Sequence, residues 1–213
     1  MSRKKIFKDY FSSLTEVARR GDAREESFYS SLEDLINGVA KETDRSHVHV
    51  TTLPKKTEAG NPDFRIWNGT DRVIGYIEAK KPDEENLNEI ERSEQLKRYL
   101  GTFPNVILTN FFEFRLYRNG ECVQEVLAAR PFILRQIGSV PPVEKPDELW
   151  KLLDQFLDFS IPQTYTAESL AVELAKRTRF LRDMTDQQLE DELKTGKGIL
   201  IGLSLIHISE PTR

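Results

Sequence analysis

One cysteine, Cys122, stands in a chain of 213 residues. An internal disulfide is therefore excluded, and so is a zinc site built on several thiolates. Histidine is almost as scarce: His47, His49 and His207, none with a partner at the helical spacing of metal ligands. Chemistry that depends on several imidazoles is excluded with them. No apolar run approaches the length of a membrane span, and no secretory signal opens the chain. The expected compartment is the cytoplasm, with no membrane partner. Positive charge is not in excess either. The formal net charge is -4, so no global basic field points to nucleic acid, although a local basic patch is compatible with that balance. The basic start, MSRKKIFK, reads as a solvated helix end.

What remains is an ordinary soluble composition, 38% hydrophobic and 31% charged, long enough for one domain with a sizeable core and an appendage. Residues 6–19 suit a short amphipathic helix, which Gly21-Asp22 breaks. Phe28, Leu32, Leu35, Ile36 and Val39 follow at offsets of 4, 7, 8 and 11, a helical stripe. Strands are expected over 46–53, 63–67 and 72–80, the last two joined by a hairpin turn at Asn68-Gly69. A charged amphipathic helix is expected over 84–100, then a compact apolar strand over 105–109. Alternating Phe112, Phe114 and Leu116 with an Asn119-Gly120 turn mark a second hairpin. A helix set between strands predicts an α/β fold, a mixed central sheet with flanking helices.

The proline-rich stretch from Ser139 to Pro146 places a boundary near 140, and beyond it only helical patterning continues. The expected organisation is an N-terminal helix (1–20), a central domain (21–140) and a helical connector (141–202). Gly196-Lys197-Gly198 is too short for a phosphate loop. The final residues, LSLIHISEPTR from Leu203 to Arg213, are the translation of a DNA string resembling a transposase adapter used in sequencing libraries. They are expected not to be native. On that reading the natural protein continues beyond Gly202, and the chain is an N-terminal fragment.

The chemistry concentrates in GNPDFRIWNGTDRVIGYIEAKKP, Gly60 to Pro82. Glu78 and Lys80 lie two apart on a strand and so share a side. The hairpin brings Asp63 beside Glu78. Two carboxylates and an ammonium then meet at one end of the sheet. Paired carboxylates are hard-oxygen ligands suited to Mg²⁺. A bound Mg²⁺ polarises a phosphodiester and lowers the pKa of a bound water, and a nearby lysine steadies developing negative charge. Glu-x-Lys alone is cheap, arising by chance about once per couple of hundred residues, and Glu192-Leu193-Lys194 reads as such a copy on a solvated helix face. Pro-Asp alone often marks a turn. The signal is their conjunction across a hairpin of apolar strands, where unpaired charge is costly.

Those residues resemble the core of the PD-(D/E)xK nuclease superfamily: Pro62-Asp63, then Glu78-Ala79-Lys80. The resemblance implies a restriction-endonuclease-like core in which Asp63, Glu78 and the carbonyl of Ala79 bind Mg²⁺, Mn²⁺ being a substitute, and Lys80 assists the attacking water. It also implies a glutamate on the preceding helix. Glu25 and Glu26 both qualify, and Glu25 is favoured because the stripe places it near the edge of the buried face. The alternative is that both are acids favoured by a helix N-terminus. Gln95 and Tyr99, four apart on one helix face, resemble the Gln-x-x-x-Tyr helix of type I restriction subunits, implicated there in DNA handling. The alternative is a tyrosine packed on the sheet and a glutamine in solvent.

The wider run, about 20 to 195, resembles the N-terminal region of single-chain restriction-modification enzymes. There a nuclease domain precedes a helical connector and an adenine-specific DNA methyltransferase. The resemblance implies double-stranded DNA as partner, with S-adenosylmethionine used only in the missing downstream domain. No methyltransferase motif is present, so that part rests on arrangement. Two rivals stand beside it: the nuclease domain of a helicase-coupled restriction or repair protein, and a non-catalytic nucleic-acid-binding domain of the same fold. A third possibility is a fragment that cannot act alone, since weak DNA affinity suits an acidic chain.

Overall fold

The computed structural model describes residues 2–57, 59–69, 72–84, 86–133, 139–159 and 167–196. The adapter-like tail and the 197–202 end of the expected connector lie outside the described residues. Helix α1 (Arg3–Arg19) buries Ile6, Phe7, Tyr10, Phe11, Leu14 and Val17 along one face. A 3₁₀ turn (Glu25–Phe28) leads directly into α2 (Tyr29–Glu42). The stripe from Phe28 to Val39 is buried as its spacing requires.

Six strands follow: β1 (His49–Thr52), β2 (Phe64–Trp67), β3 (Val73–Ala79), β4 (Asn105–Thr109), β5 (Glu113–Arg118) and β6 (Glu121–Leu127). They form one sheet in sequence order, β1 to β6. β3 and β4 are parallel, and every other neighbour pair is antiparallel. A parallel join cannot be closed by a tight turn, and here the chain crosses over through α3 (Leu87–Glu91) and α4 (Glu94–Thr102). The sequence suggests one helix over 84–100. The structure divides it at Arg92–Ser93, where Ser93 begins α4 as an N-cap, its hydroxyl accepting from the Leu96 amide at 3.2 Å.

The architecture is thus α/β, a six-stranded mixed sheet with helices on both faces. One face carries the larger core, with Phe64, Ile66, Ile77 and Ile107 packed among side chains of α1, α2 and α5 (Pro146–Leu157). The other carries Val106, Leu108 and Tyr117 with Leu96, Tyr99 and Phe103 of the α4 segment. Gly75 lets α5 approach β3. A Cβ there would lie 2.6 Å from Phe156 Cε2 and 2.7 Å from the Asn105 carbonyl oxygen.

The chain divides into two compact units, Met1–Ile161 and Pro162–Arg213. The division therefore falls some twenty residues beyond the boundary near 140 that the prolines suggest. The reason is α5, whose Leu149, Leu152, Leu153 and Phe156 are fully buried in the core of the first unit. The α1 side chains Phe7, Phe11 and Leu14 are buried in the same core. In the second unit, α6 (Ala167–Thr195) is a single 29-residue helix. Its Glu192 is buried, unlike the solvated face expected of Glu192-Leu193-Lys194, whereas Leu193 is exposed. Among the described residues no helix is long and apolar enough to cross a membrane.

Candidate active site

Asp63 sits one residue before β2, and Lys80 one residue after β3. Both therefore flank the strands that sequence patterning places them on. The register pairs Phe64 with Ile77, so Asp63 lies across from Glu78 where β2 begins and β3 ends. Glu78 and Tyr76 share the face that packs under α4. Glu78 is 2% exposed; Asp63 and Lys80 are half-buried. Gly60 fits the loop before Asp63 against α4. Its φ is +131°, and a Cβ would meet the Tyr99 ring at 3.2 Å.

Every oxygen of the two carboxylates has a definite surrounding. Asp63 Oδ2 accepts from the Ala79 amide at 2.8 Å, and Oδ1 accepts from the Tyr29 hydroxyl at 2.7 Å. Glu78 Oε1 accepts from Lys80 Nζ at 2.6 Å and from Gln95 Nε2 at 2.8 Å. Glu78 Oε2 is buried and accepts from no N–H or hydroxyl donor, its polar neighbour being the Asp63 carboxylate, which it meets by a hydrogen bond only when Glu78 is protonated. A buried polar oxygen left without a donor costs about 1–3 kcal/mol, and more when charged. Burial first, and the Asp63 charge second, push the Glu78 carboxyl up to about 7, against the opposing pull of Lys80. Burial alone would lower the Lys80 ammonium, but Glu78, Asp63 and Glu25 outweigh it and hold its pKa above the ordinary lysine value. Lys80 is therefore a cation throughout the physiological range.

Gln95 and Tyr99 do come together. Gln95 Nε2 lies 3.1 Å from the Tyr99 hydroxyl while also reaching Glu78, and its two N–H groups can serve both. Tyr99 is also a core residue, 1% exposed, so packing on the sheet and contact with the site coexist in one side chain. Of the two adjacent glutamates, Glu25 reaches the site and Glu26 is exposed. Glu25 belongs to the 3₁₀ turn and not to the α-helix proper. Its Oε1 lies 3.1 Å from the Tyr29 hydroxyl, and burial raises its pKa.

Tyr29 is the site residue that sequence reasoning missed. Its hydroxyl links Glu25 and Asp63, yet carries one proton. With that proton given to Asp63, the contact to Glu25 is a hydrogen bond only when Glu25 is protonated. The available signal was its position four residues after Glu25, a polar-tipped aromatic on the buried face.

The oxygen donors available to a hard cation are the Asp63 and Glu78 carboxylates and the main-chain carbonyl of Ala79 between Glu78 and Lys80. Such a set fits a divalent metal. The orphaned Glu78 Oε2 and the raised Glu78 pKa are what a site short of positive charge shows. Among the described residues no group of three or more His, Cys, Asp or Glu side chains is arranged to hold a metal ion. The candidate set is therefore two carboxylates and a carbonyl, with Glu25 held behind Tyr29.

The chain is similar to a solved structure described as the cryoEM structure of a DrdV–DNA complex, with a TM-score of 0.55 and 23% identity. The match covers 75% of this chain and 14% of that one, so the chain corresponds to a small part of that protein's length. At this identity the likeness shows the fold, an α/β sheet flanked by helices consistent with a restriction-endonuclease-like core. No protein family matches the chain, and no curated protein matches it.

Proposed function

We propose that the chain carries a metal-dependent DNA endonuclease domain that hydrolyses phosphodiester bonds. The observation that carries this reading is the convergence of Asp63, Glu78 and Lys80 where β2 begins and β3 ends, with Glu78 Oε2 buried and without an N–H or hydroxyl donor. The DNA in the DrdV complex supports DNA as the partner, and the sequence resemblance supports its being double-stranded. The wider resemblance supports an N-terminal place in a restriction-modification enzyme. Its adenine methyltransferase, using S-adenosylmethionine, would follow in the full-length protein.

Asp63, Glu78 and the Ala79 carbonyl would hold Mg²⁺ or Mn²⁺. When bound, the ion supplies Lewis-acid polarisation of the phosphodiester and an acidified water. The remaining work belongs to the chain. Lys80, fixed by Glu78, offers N–H donors toward the negative charge that develops on phosphate oxygens. Gln95 holds Glu78 Oε1 from the α4 side and keeps the carboxylate in one orientation. Tyr29 and the Ala79 amide do the same for Asp63. Hydrolysis adds one water across a P–O bond: the water oxygen bonds to phosphorus, the bond to the leaving sugar oxygen breaks, and one water proton ends on that oxygen.

The test is nicking of supercoiled plasmid with Mg²⁺ or Mn²⁺, beside a Lys80→Ala protein. Metal-dependent nicking that disappears in Lys80→Ala supports the reading. Nicking equal in both proteins overturns the role of this site.

A further inference from the structure

A groove of about 250 Å³ opens beside the candidate site, between the 3₁₀ turn and the loop that follows β3. Its apolar lining includes buried Phe28 and the partly buried Ala18 and Pro82. Arg24 and Lys81, both exposed, stand along it, and neither enters an ion pair among the described residues. Glu25 lines the end shared with the site, and exposed Asp83 lines the groove as well. Lys81 directly follows Lys80, about 3.8 Å along the backbone, so the groove begins where the candidate site ends.

We propose that this groove holds the sugar–phosphate backbone of the DNA strand next to the scissile phosphate, with Arg24 and Lys81 contacting its phosphates. The proposal rests on the nuclease reading and extends it to the path of the strand. The apolar floor suits sugar carbons, and Arg24 and Lys81 offer donors to phosphate oxygens, although Glu25 and Asp83 leave the lining without net positive charge. With two carboxylates also present, the groove is a poor trap for a free anion. A strand already anchored at the neighbouring site brings its phosphates to Arg24 and Lys81 without that competition.

The test is duplex DNA binding by the whole 213-residue chain in Ca²⁺ across a salt series. It compares wild type with Arg24→Gln/Lys81→Gln and with Lys41→Ala/Lys151→Ala. The last pair removes the same charge from exposed positions on α2 and α5. The expected result is that Arg24→Gln/Lys81→Gln lowers the slope of log affinity against log salt by about 2, roughly one for each phosphate that is no longer neutralised. The control pair should keep the wild-type slope. A slope in Arg24→Gln/Lys81→Gln equal to that of wild type overturns the groove while leaving the nuclease reading in place. No salt-dependent binding by wild type also overturns the groove, while the nuclease reading stands or falls on plasmid nicking. Circular dichroism of the variants separates a weakened DNA interface from an unfolded protein.

Discussion

The Tyr29 hydroxyl donates to Asp63 Oδ1 over 2.7 Å, tying the first turn of α2 to the residue that precedes β2. The Tyr29 ring packs on Phe64 with centroids 4.7 Å apart, so the hydroxyl is aimed by core packing. Tyr29→Phe keeps that packing and deletes one of the two donors that orient Asp63. A hydrogen bond to a charged group is worth about 1.5–3 kcal/mol, so the metal concentration for half-maximal nicking should rise at least about tenfold. The rate at saturating metal should change far less, because Asp63 itself remains. Mn²⁺ titration of wild type and Tyr29→Phe checks this. Equal affinities would leave Tyr29 a packing residue only.

Glu78 gives a pH dependence with a definite sign. Its carboxyl is raised from 4.5 to about 7 in the folded chain, so the folded state binds a proton that the unfolded state has already released. Stability of the metal-free protein is therefore favoured below about 4.5 and falls as pH rises toward 7, by an amount on the order of 3 kcal/mol. Glu78→Gln should lack this fall. A divalent ion reverses the preference, since it binds the carboxylate. Its affinity should weaken about tenfold per pH unit below 7 and level off above. Thermal melts with EDTA, and metal titrations at several pH values, read the two effects separately. Parallel melting profiles for wild type and Glu78→Gln would contradict the assignment.

Much of this arrangement was legible because it is local. The β4 strand, the Asn119-Gly120 hairpin and the stripe from Phe28 to Val39 follow from period and turn chemistry alone. Asp63, Glu78 and Lys80 were legible because a hairpin makes sequence neighbours into spatial ones. Gln95 and Tyr99 required only helical spacing. Tyr29 was not legible, because its contact with Asp63 spans 34 residues and depends on how α2 packs on the sheet. The break at Ser93 was hidden by charged residues that continue the helical pattern on both sides. The prolines before α5 mark a local bend correctly, but they carry no information on whether the next helix returns to the same core.

The three central side chains should fail in different ways. Asp63→Ala and Glu78→Ala each remove a carboxylate from the proposed metal set, so both should lose metal binding together with nicking. Lys80→Ala removes a cation that would otherwise repel the metal and leaves both carboxylates. It should keep or improve metal affinity while lowering nicking by roughly 10²-fold or more, the scale of losing one transition-state donor. Metal titration beside plasmid nicking separates the two classes. Loss of metal binding in Lys80→Ala would mean that the lysine mainly holds Glu78 in place.

The place of α5 in the first unit makes a prediction about truncation. Leu149, Trp150, Leu152, Leu153 and Phe156 are buried, and each contributes about 1.5–3 kcal/mol relative to exposure. Together they rival the whole stability of a typical domain, roughly 5–15 kcal/mol. A fragment ending at residue 161 should unfold cooperatively, whereas one ending at 145 should show no cooperative transition. Gly75→Ala tests the same packing within the whole chain. The new methyl would collide with Phe156 and with Asn105 on adjoining β4, costing about 1–3 kcal/mol as an overpacked core does. Denaturant melts should therefore show a lower midpoint for Gly75→Ala. A cooperative 1–145 fragment, with Gly75→Ala as stable as wild type, would return α5 to the status of a connector.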